Sequence, residues 1–243
     1  MRRRVLRVTG TVLIGAGVLG LIWVIVVWQW QDPFTGLYTT WQQHELRGQL
    51  NRIVARQEPL PRFAADASRQ ARLTAEKNWI AKEATAFQRE SHEGQAIGRI
   101  IIPRIGLKIV VVDGTDDSSL RRGPGLDLQT SMPGRDELVY IAGHRTTYLA
   151  PFSHIEKIVP GSIIRLEMPY ATFVYRAYDH RIVRATDLGV LRPVGHELLR
   201  LQACHPRFFA THRYIVEAHL VSERPQGASA LVVATGAVAG SHS

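Results

Sequence analysis

The chain has 243 residues, of which 45% are hydrophobic and 21% charged, a composition typical of a globular protein. A single cysteine excludes an intramolecular disulfide framework, a four-cysteine zinc site and an iron–sulfur cluster held by this chain's cysteines alone. The net charge of +9 would suit a nucleic-acid ligand, but four arginines lie within the first seven residues and no clustered basic stripe follows. We therefore predict no nucleic-acid partner.

The first element is a predicted membrane anchor. No charged residue lies between Val8 and Gln31, and about 20 apolar residues in a helix cross a hydrocarbon core. Arginines precede this run and tryptophans crowd its far end: Arg2, Arg3, Arg4, Arg7, Trp23, Trp28 and Trp30. The positive-inside rule then predicts a cytoplasmic segment at 1–7, a single transmembrane helix at 8–31, and an extracellular remainder. A cleaved signal peptide is the alternative, which the length of the run and the lack of a nearby small-x-small site disfavour.

Residues 32–93 are predicted to be a juxtamembrane and helical linker. Leu46, Leu50, Ile53 and Val54 fall on one face of a helix, and the prolines near residue 60 end that helix. A second helical stretch, rich in Ala, Glu, Gln, Lys and Arg, covers about 62–91. Such a charged pair either forms a stalk or packs on the outside of the following domain.

The pattern changes at Gly94 to short β-branched runs separated by Pro/Gly turn signals. Eight such runs predict strands at Ile97–Ile102, Ile109–Val112, Leu138–Ala142, Ile163–Met168, Phe173–Ala177, Arg181–Val183, Leu198–Ala203 and Tyr214–Val221. The spacing predicts an all-β sandwich or barrel over 94–224, with short helical pieces. The uncharged, Gly/Ala/Ser-rich segment 225–243 is predicted to be a disordered tail.

Cys204 ends a predicted strand, and a free cysteine by itself is most often a small buried hydrophobe. The residues around Cys204 instead favour a catalytic role for it. Arg213 opens the next strand across a hairpin-like loop, and His144 directly follows another predicted strand. A thiol, an imidazole and a guanidinium at strand ends could supply a nucleophile, a proton carrier and an oxyanion donor. Arg207, within the loop, is a rival for the last role.

These residues resemble the sortase family. LQACHP followed by FFATHRYIV is similar to the sortase signature in which a cysteine ends one strand and an arginine begins the next. IIIPRI resembles the first strand and its turn, residues 113–125 resemble the Gly-Thr…Gly-Pro-Gly segment, and IAGHR resembles the histidine motif. GHRTTYLAPF, CHPRFF and WQDPFTGLYTTWQQ are most similar to class E sortases of actinobacteria. The usual Thr-Leu-x-Thr-Cys reads RLQAC here, and the usual Gly-Asp opening the middle strand is Gly161-Ser162.

The resemblance implies a closed eight-stranded sortase-type β-barrel and a membrane-anchored cysteine transpeptidase of a Gram-positive cell surface. Cys204 would be the nucleophile, His144 the proton donor and acceptor, and Arg213 the oxyanion stabiliser, with no metal or cofactor. The implied partners are secreted proteins with a Leu-x-x-Thr-Gly sorting signal, Leu-Ala-x-Thr-Gly favoured, and an amine of a peptidoglycan precursor. Tyr148 is a candidate substrate contact, or an aromatic residue that simply walls the groove.

Three alternatives stay open at this point. A class C-like pilin polymerase is suggested by the tripeptide Asp32-Pro33-Phe34, although its position next to the anchor favours a juxtamembrane turn. A membrane-tethered barrel that binds cell-wall peptides without catalysis is a second possibility. A cysteine peptidase that hydrolyses its substrate rather than transferring it is a third.

Overall fold

The computed structural model describes residues 2–30, 33–57 and 68–226. Eight strands close into a barrel in the order β1-β2-β3-β4-β7-β8-β6-β5. They are β1 (Ala96–Ile102), β2 (Leu107–Asp113), β3 (Gly125–Leu126), β4 (Leu138–Ala142), β5 (Ile163–Glu167), β6 (Ala171–Arg184), β7 (Leu198–His205) and β8 (His212–Pro225). The pairs β2–β3 and β4–β7 are parallel, and the others are antiparallel. The predicted closed eight-stranded barrel is confirmed.

The strand count agrees with the prediction, but two details differ. The runs Phe173–Ala177 and Arg181–Val183, predicted as separate strands, belong to the single strand β6, which pairs with β8 along its whole length. The predicted turn at Pro124-Gly125 instead leads into β3, whose two residues bridge β2 and β4. One predicted strand is thus lost and one unpredicted strand gained.

Alternation along β7 determines which side chains face the site. Leu199, Leu201 and Ala203 lie in the barrel core, as expected for every second residue of a strand with one dry face. Gln202 and Cys204 therefore point to the outer face, and both are half-buried there. Aromatic residues of β6 fill much of the remaining interior: Phe173 and Tyr175 are fully buried.

In the described part of the chain, four helices accompany the barrel: α1 (Arg2–Trp30), α2 (Pro33–Arg56), α3 (Arg69–Glu90) and α4 (Asp117–Leu120). Short 3₁₀ turns lie at Pro103–Ile105, Ile155–Lys157 and Leu188–Leu191. The start of α3 is capped by the Ser68 hydroxyl, which accepts a hydrogen bond from the amide of Ala71 at 3.2 Å. Trp79, Ile80 and Phe87 then bury one face of α3 in the barrel core.

Helix α2 docks on the outside of β1 and β2. Leu46 and Leu50 are buried there with Val110. Gln43 completes the contact in the manner of an additional strand: its Oε1 accepts from the amide of Val110 at 2.8 Å, and its Nε2 donates to the Val110 carbonyl at 3.1 Å. Gln43 also donates to the carbonyl of Arg122 at 2.8 Å. Both helices of the predicted linker therefore pack on the barrel.

Helix α1 contains the predicted anchor. Its stretch Arg3–Val24 has a mean hydropathy of 2.0 over its most apolar window, no part of which is buried, so its length and composition suit a membrane span. Asp32 and the side chains of Trp28 and Trp30 lie outside the described residues. At the other end, Gln226 donates its amide to the Tyr170 carbonyl at 2.7 Å, so barrel contacts extend into the predicted tail; residues 227–243 lie outside the described part.

Candidate active site

Cys204 and Arg213 face each other across the β7–β8 ladder. The two residues are direct Cα partners of this antiparallel pair, and residues directly opposite each other project from the same face of a sheet. Because Ala203 points into the core, that shared face is the outer one. The loop 206–211 returns the chain between them, so the register places Cys204 and Arg213 at neighbouring strand ends on one face of the sheet.

His144 reaches the same end of the barrel through the parallel pairing of β4 with β7. Ala142 is the Cα partner of Gln202, and the amide of Gly143 donates to the Gln202 carbonyl at 3.0 Å. His144 lies two residues beyond Ala142, just as Cys204 lies two residues beyond Gln202. The register therefore brings the histidine and the cysteine to neighbouring strand ends.

The imidazole of His144 sits in a partly desolvated site. Its Nε2 atom is buried and has no hydrogen-bond partner within the described part of the chain. Burial lowers the pKa of His144; the carboxylate of Asp117 opposes this shift and the guanidinium of Arg121 adds to it. The neutral imidazole is thus favoured at neutral pH, with its Nε2 atom shielded from solvent.

Tyr148 packs against His144 instead of standing apart from it. The two ring centroids are 5.1 Å apart, and the guanidinium carbon of Arg121 lies 5.8 Å from the Tyr148 ring centroid. The backbone of Tyr148, Leu149 and Ala150 has positive φ angles of 52°, 62° and 39°, a costly conformation for residues other than glycine. This strained segment holds Tyr148 beside the imidazole, and its role as a substrate contact stays a prediction.

The structure separates the two arginines that compete for the oxyanion role. Arg213 is opposite Cys204, and its Nη1 donates to the carbonyls of Ala210 at 2.7 Å and His212 at 3.1 Å. Arg207 instead turns to the loop after His144, where it donates to the carbonyl of Ser153 and lies 3.7 Å from Glu156. Of these two, Arg213 is the one with the geometry that the prediction requires.

Arg145 is a site residue that sequence reasoning missed. It is 7% exposed, and its Nη1 donates to the carbonyl of Cys204 at 3.2 Å and lies 3.0 Å from Nδ1 of His205. Its Nη2 donates to Glu156 at 2.9 Å, and its guanidinium lies 5.8 Å from the ring centroid of Tyr214. Arg145 thus ties the backbone of the cysteine to the loop that follows His144. The only sequence signal was its position directly after the histidine.

Arg145→Lys should lower kcat about 10- to 100-fold with little change in KM, because small misplacement of a reacting group has effects of this size. A lysine has one donor centre and cannot bridge Cys204, His205 and Glu156 together. Steady-state kinetics on a peptide substrate provide the measurement. Arg104→Lys is the matched control, since Arg104 is exposed and donates to the nearby Lys157 carbonyl. A raised KM with unchanged kcat would show that Arg145 contacts substrate instead.

The outer face beside Cys204 is partly apolar. Tyr140, Ala142, Val190 and Ile215 form a buried cluster on this face, with Val190 contributed by the segment between β6 and β7. Arg200 fixes that segment by donating to the Val190 carbonyl at 2.6 Å while pairing with Glu217 at 2.7 Å.

Two of the departures from the usual family sequence therefore have defined locations. Arg200 is a loop anchor on the outer face, whereas Ala203 lies in the core and removes no group from the face that bears Cys204. Among the residues that the structure describes, no three His, Cys, Asp or Glu side chains are grouped so that they could hold a metal ion.

Comparison with known proteins agrees with this geometry. The family model of the Sortase domain matches residues 100–221, which include His144, Cys204 and Arg213. Sortase D of Bacillus subtilis is 30% identical over 160 residues, which cover 64% of this chain and 78% of that protein. Sortase SrtE1 of Streptomyces coelicolor is 30% identical over 149 residues, which cover 55% of this chain and 42% of that protein.

Solved structures show the same relationship. Sortase E1 from Streptomyces coelicolor, crystallised with a tripeptide in its active site, superposes with a TM-score of 0.51 at 27% identity, covering 54% of this chain and 91% of that one. Sortase E from Streptomyces avermitilis superposes with a TM-score of 0.51 at 30% identity, covering 55% of this chain and 93% of that one. The relatives thus include proteins named sortase D and proteins named sortase E. This chain belongs to the sortase family of cysteine transpeptidases.

Proposed function

We propose that the chain is a membrane-anchored transpeptidase that cleaves a Leu-x-x-Thr-Gly type signal between Thr and Gly and joins the new Thr carboxyl end to a cell-wall amine. The direct pairing of Cys204 with Arg213 across β7 and β8 is the observation that carries this assignment. His144, at the neighbouring strand end, supplies the third group that acyl transfer needs.

The proposed reaction has two balanced halves. The Cys204 thiolate adds to the Thr carbonyl carbon, and N–H groups of Arg213 stabilise the resulting oxyanion. The C–N bond then breaks, the imidazolium of His144 gives its proton to the leaving Gly amine, and a thioester remains. The incoming amine attacks the thioester carbon, gives a proton to His144 and expels the thiolate. Each cycle regenerates the enzyme without an oxidant, a metal or a cofactor.

The test is a transfer assay of the full chain in detergent with a Leu-Ala-x-Thr-Gly peptide, read by mass. A peptide joined to an added amine, with release of the Gly fragment, supports transpeptidation. Release of the free Thr acid with no amine product would make the chain a hydrolase. If neither product forms and no thioester adduct is present, the assignment fails.

We further propose that α1 spans the membrane with residues 1–7 in the cytoplasm. The four flanking arginines and the apolar stretch of α1 support this orientation. Enzyme, substrate and a lipid-linked amine would then share one surface, which raises their effective concentration. Protease added to intact protoplasts should digest the barrel. Protection of the barrel, or a mature N-terminus after Trp30, would contradict the anchor.

A pH profile tests the role given to His144. The acylating form requires a thiolate on Cys204 together with an imidazolium on His144. The acidic limb of such a profile follows the lower of the two pKa values. Burial lowers the pKa of His144 from its ordinary 6.5, so we expect the acidic midpoint of kcat/KM below pH 6.5. His154→Gln, at an exposed position, should not move it; a midpoint above 6.5 would contradict this proton placement.

Substrate choice is a further prediction. Leu-Ala-x-Thr-Gly should exceed Leu-Pro-x-Thr-Gly in kcat/KM, as the class E resemblance implies. Proline fixes φ near −65°, so alanine costs about 1 kcal/mol more to order, but alanine has an N–H that proline lacks. An acceptor left unpaired by proline costs about 1–3 kcal/mol, which can reverse the preference. The hydroxyl of Tyr148 and the segment 184–196 are the candidate recognition elements.

A third peptide separates the two physical causes. N-methyl-alanine at the second position removes the N–H without adding the ring of proline. It should lose the advantage of alanine if the hydrogen bond decides the preference. Equal rates for the alanine and proline peptides, or a preference for proline, would reject the class E specificity and leave the sortase assignment unchanged.

A further inference from the structure

Helix α2 presents two different faces. Thr39, Gln43 and Leu46 recur at helical spacing on the barrel side and are buried. On the opposite side, Leu37 and Trp41 are 73% and 62% exposed, with Tyr38 between them at 46%. Three exposed apolar or aromatic side chains on the first turns of a helix form a surface that water does not favour.

The composition of this outer face changes along α2. After Trp41, most exposed positions are polar or charged, among them His44, Glu45 and Arg52; the exceptions, Ala55 and the 37% exposed Val54, lie in the last turn of α2. The largest exposed side chains of the first turns, nearest α1, are apolar or aromatic. Tryptophan and tyrosine prefer the boundary between the hydrocarbon and the headgroups, where one end of the ring is apolar and the other wet. The change along the helix is what a segment leaving a bilayer requires.

Chain length places this face near the proposed membrane. Only residues 31–32 separate the end of α1 at Trp30 from the start of α2 at Pro33. At about 1.5 Å per helical residue, Trp41 lies no more than about 13 Å along α2 from its start. The headgroup regions add roughly 5–8 Å to each side of the hydrocarbon core, so a helix that begins beside the bilayer reaches them readily.

The same end of α2 lies beside the segment 148–150, which follows His144. A Cβ placed on Gly36 would lie 3.8 Å from Cδ2 of Leu149, which is 45% exposed and follows Tyr148 directly. The Thr39 hydroxyl donates to the carbonyl of Arg121, whose guanidinium lies over the Tyr148 ring. Leu149 therefore is an exposed apolar residue beside the first turns of α2, within the segment that packs on His144.

We propose that Leu37, Tyr38, Trp41 and Leu149 form an interfacial patch that inserts among phospholipid headgroups and holds the mouth of the active site at the membrane surface. The proposal rests on the membrane anchor proposed above. The patch follows the anchor directly in sequence, and Leu149 is next to Tyr148, whose ring packs on His144. Because α2 is clamped to β2 through Gln43, immersion of the patch orients the whole barrel.

The test measures depth in the bilayer by spin labelling, independently of catalysis. Cys204 is the only cysteine, so Cys204→Ala gives a background for single labels. Labels introduced by Leu37→Cys, Trp41→Cys and Leu149→Cys are placed in the full chain in vesicles of phosphatidylethanolamine and phosphatidylglycerol. Collision with oxygen, which enters lipid, is compared with collision with a water-soluble nickel chelate. Arg52→Cys is the matched control, because position 52 lies on the same helix face as Trp41, three turns later.

We expect a several-fold higher oxygen-to-nickel ratio at positions 37, 41 and 149 than at position 52. A label introduced by Leu19→Cys in α1 reports the anchor itself. If position 19 is in hydrocarbon while positions 37 and 41 are as aqueous as position 52, the patch is wrong and the anchor stands. If position 19 is also in water, both the anchor and the patch are wrong.

A second measurement uses catalytically intact protein. The double variant Leu37→Ser, Trp41→Ser should act on a short soluble peptide at the rate of the unaltered enzyme, since neither residue belongs to the catalytic group. Its rate on the same peptide joined to a lipid in those vesicles should fall several-fold. An unchanged rate on the lipid-joined peptide would overturn the proposed role of the patch. Equal loss of both rates would overturn it too, because the two residues would then support the enzyme itself and contribute nothing specific to the membrane surface.

Discussion

Cys204→Ala is expected to abolish both cleavage and transfer. The chain contains one cysteine, so the variant has no other thiol that could replace the nucleophile. Removal of the nucleophile from a comparable catalytic group has cost about 10⁶-fold in kcat. The fold should survive, because Cys204 is half-buried at the end of β7 and alanine keeps the strand conformation.

The measurement is mass spectrometry of enzyme mixed with peptide in the absence of an amine. The unaltered chain should accumulate an adduct that hydroxylamine removes, as expected for a thioester, and Cys204→Ala should form none. Thermal unfolding of both proteins supplies the control for folding. An adduct on the alanine variant, or residual transfer at more than trace level, would show that another residue is the nucleophile.

The barrel could be predicted because its strands are short, β-branched and separated by Pro/Gly turns. β3 was missed because two residues carry no periodicity, and its Gly125 follows a proline that favours a turn. The sequence predicts two strands in place of β6 because Tyr178, Asp179 and His180 are exposed where the strand extends past the core. A segment exposed on both faces loses the alternation by which strands are recognised.

The positions of Cys204, His144 and Arg213 could be predicted as strand ends, but the residues that hold them could not. Arg145 contacts Cys204 and Glu156, which are distant in sequence, and nothing local specifies either partner. Gln43 presents the same difficulty. A polar residue on a helix predicts a solvated face, whereas here it satisfies the backbone of β2 where β3 is too short to pair with it. Such contacts depend on the assembled fold.

Arg213→Lys is expected to lower kcat about 100- to 1000-fold, the usual cost of losing one oxyanion donor. The local geometry explains why lysine should fail although it keeps the charge. Nη1 of Arg213 is held by the carbonyls of Ala210 and His212. A planar guanidinium can keep these two bonds and still direct other N–H groups toward the carbonyl attacked by Cys204. The single ammonium of lysine would be captured by the same two carbonyls.

The experiment compares Arg213→Lys with Arg207→Lys under identical conditions, using kcat, KM and the rate of thioester formation. Arg207 has the same chemistry and lies in the same loop region, but it faces Ser153 and Glu156 rather than Cys204. We expect Arg207→Lys to retain nearly full activity, whereas Arg213→Lys forms the thioester slowly with a KM close to that of the unaltered enzyme. Near-normal activity of Arg213→Lys together with an inactive Arg207→Lys would assign oxyanion stabilisation to Arg207. The loop 206–211 would then have to rearrange during substrate binding so that Arg207 leaves Ser153 and Glu156 and faces Cys204.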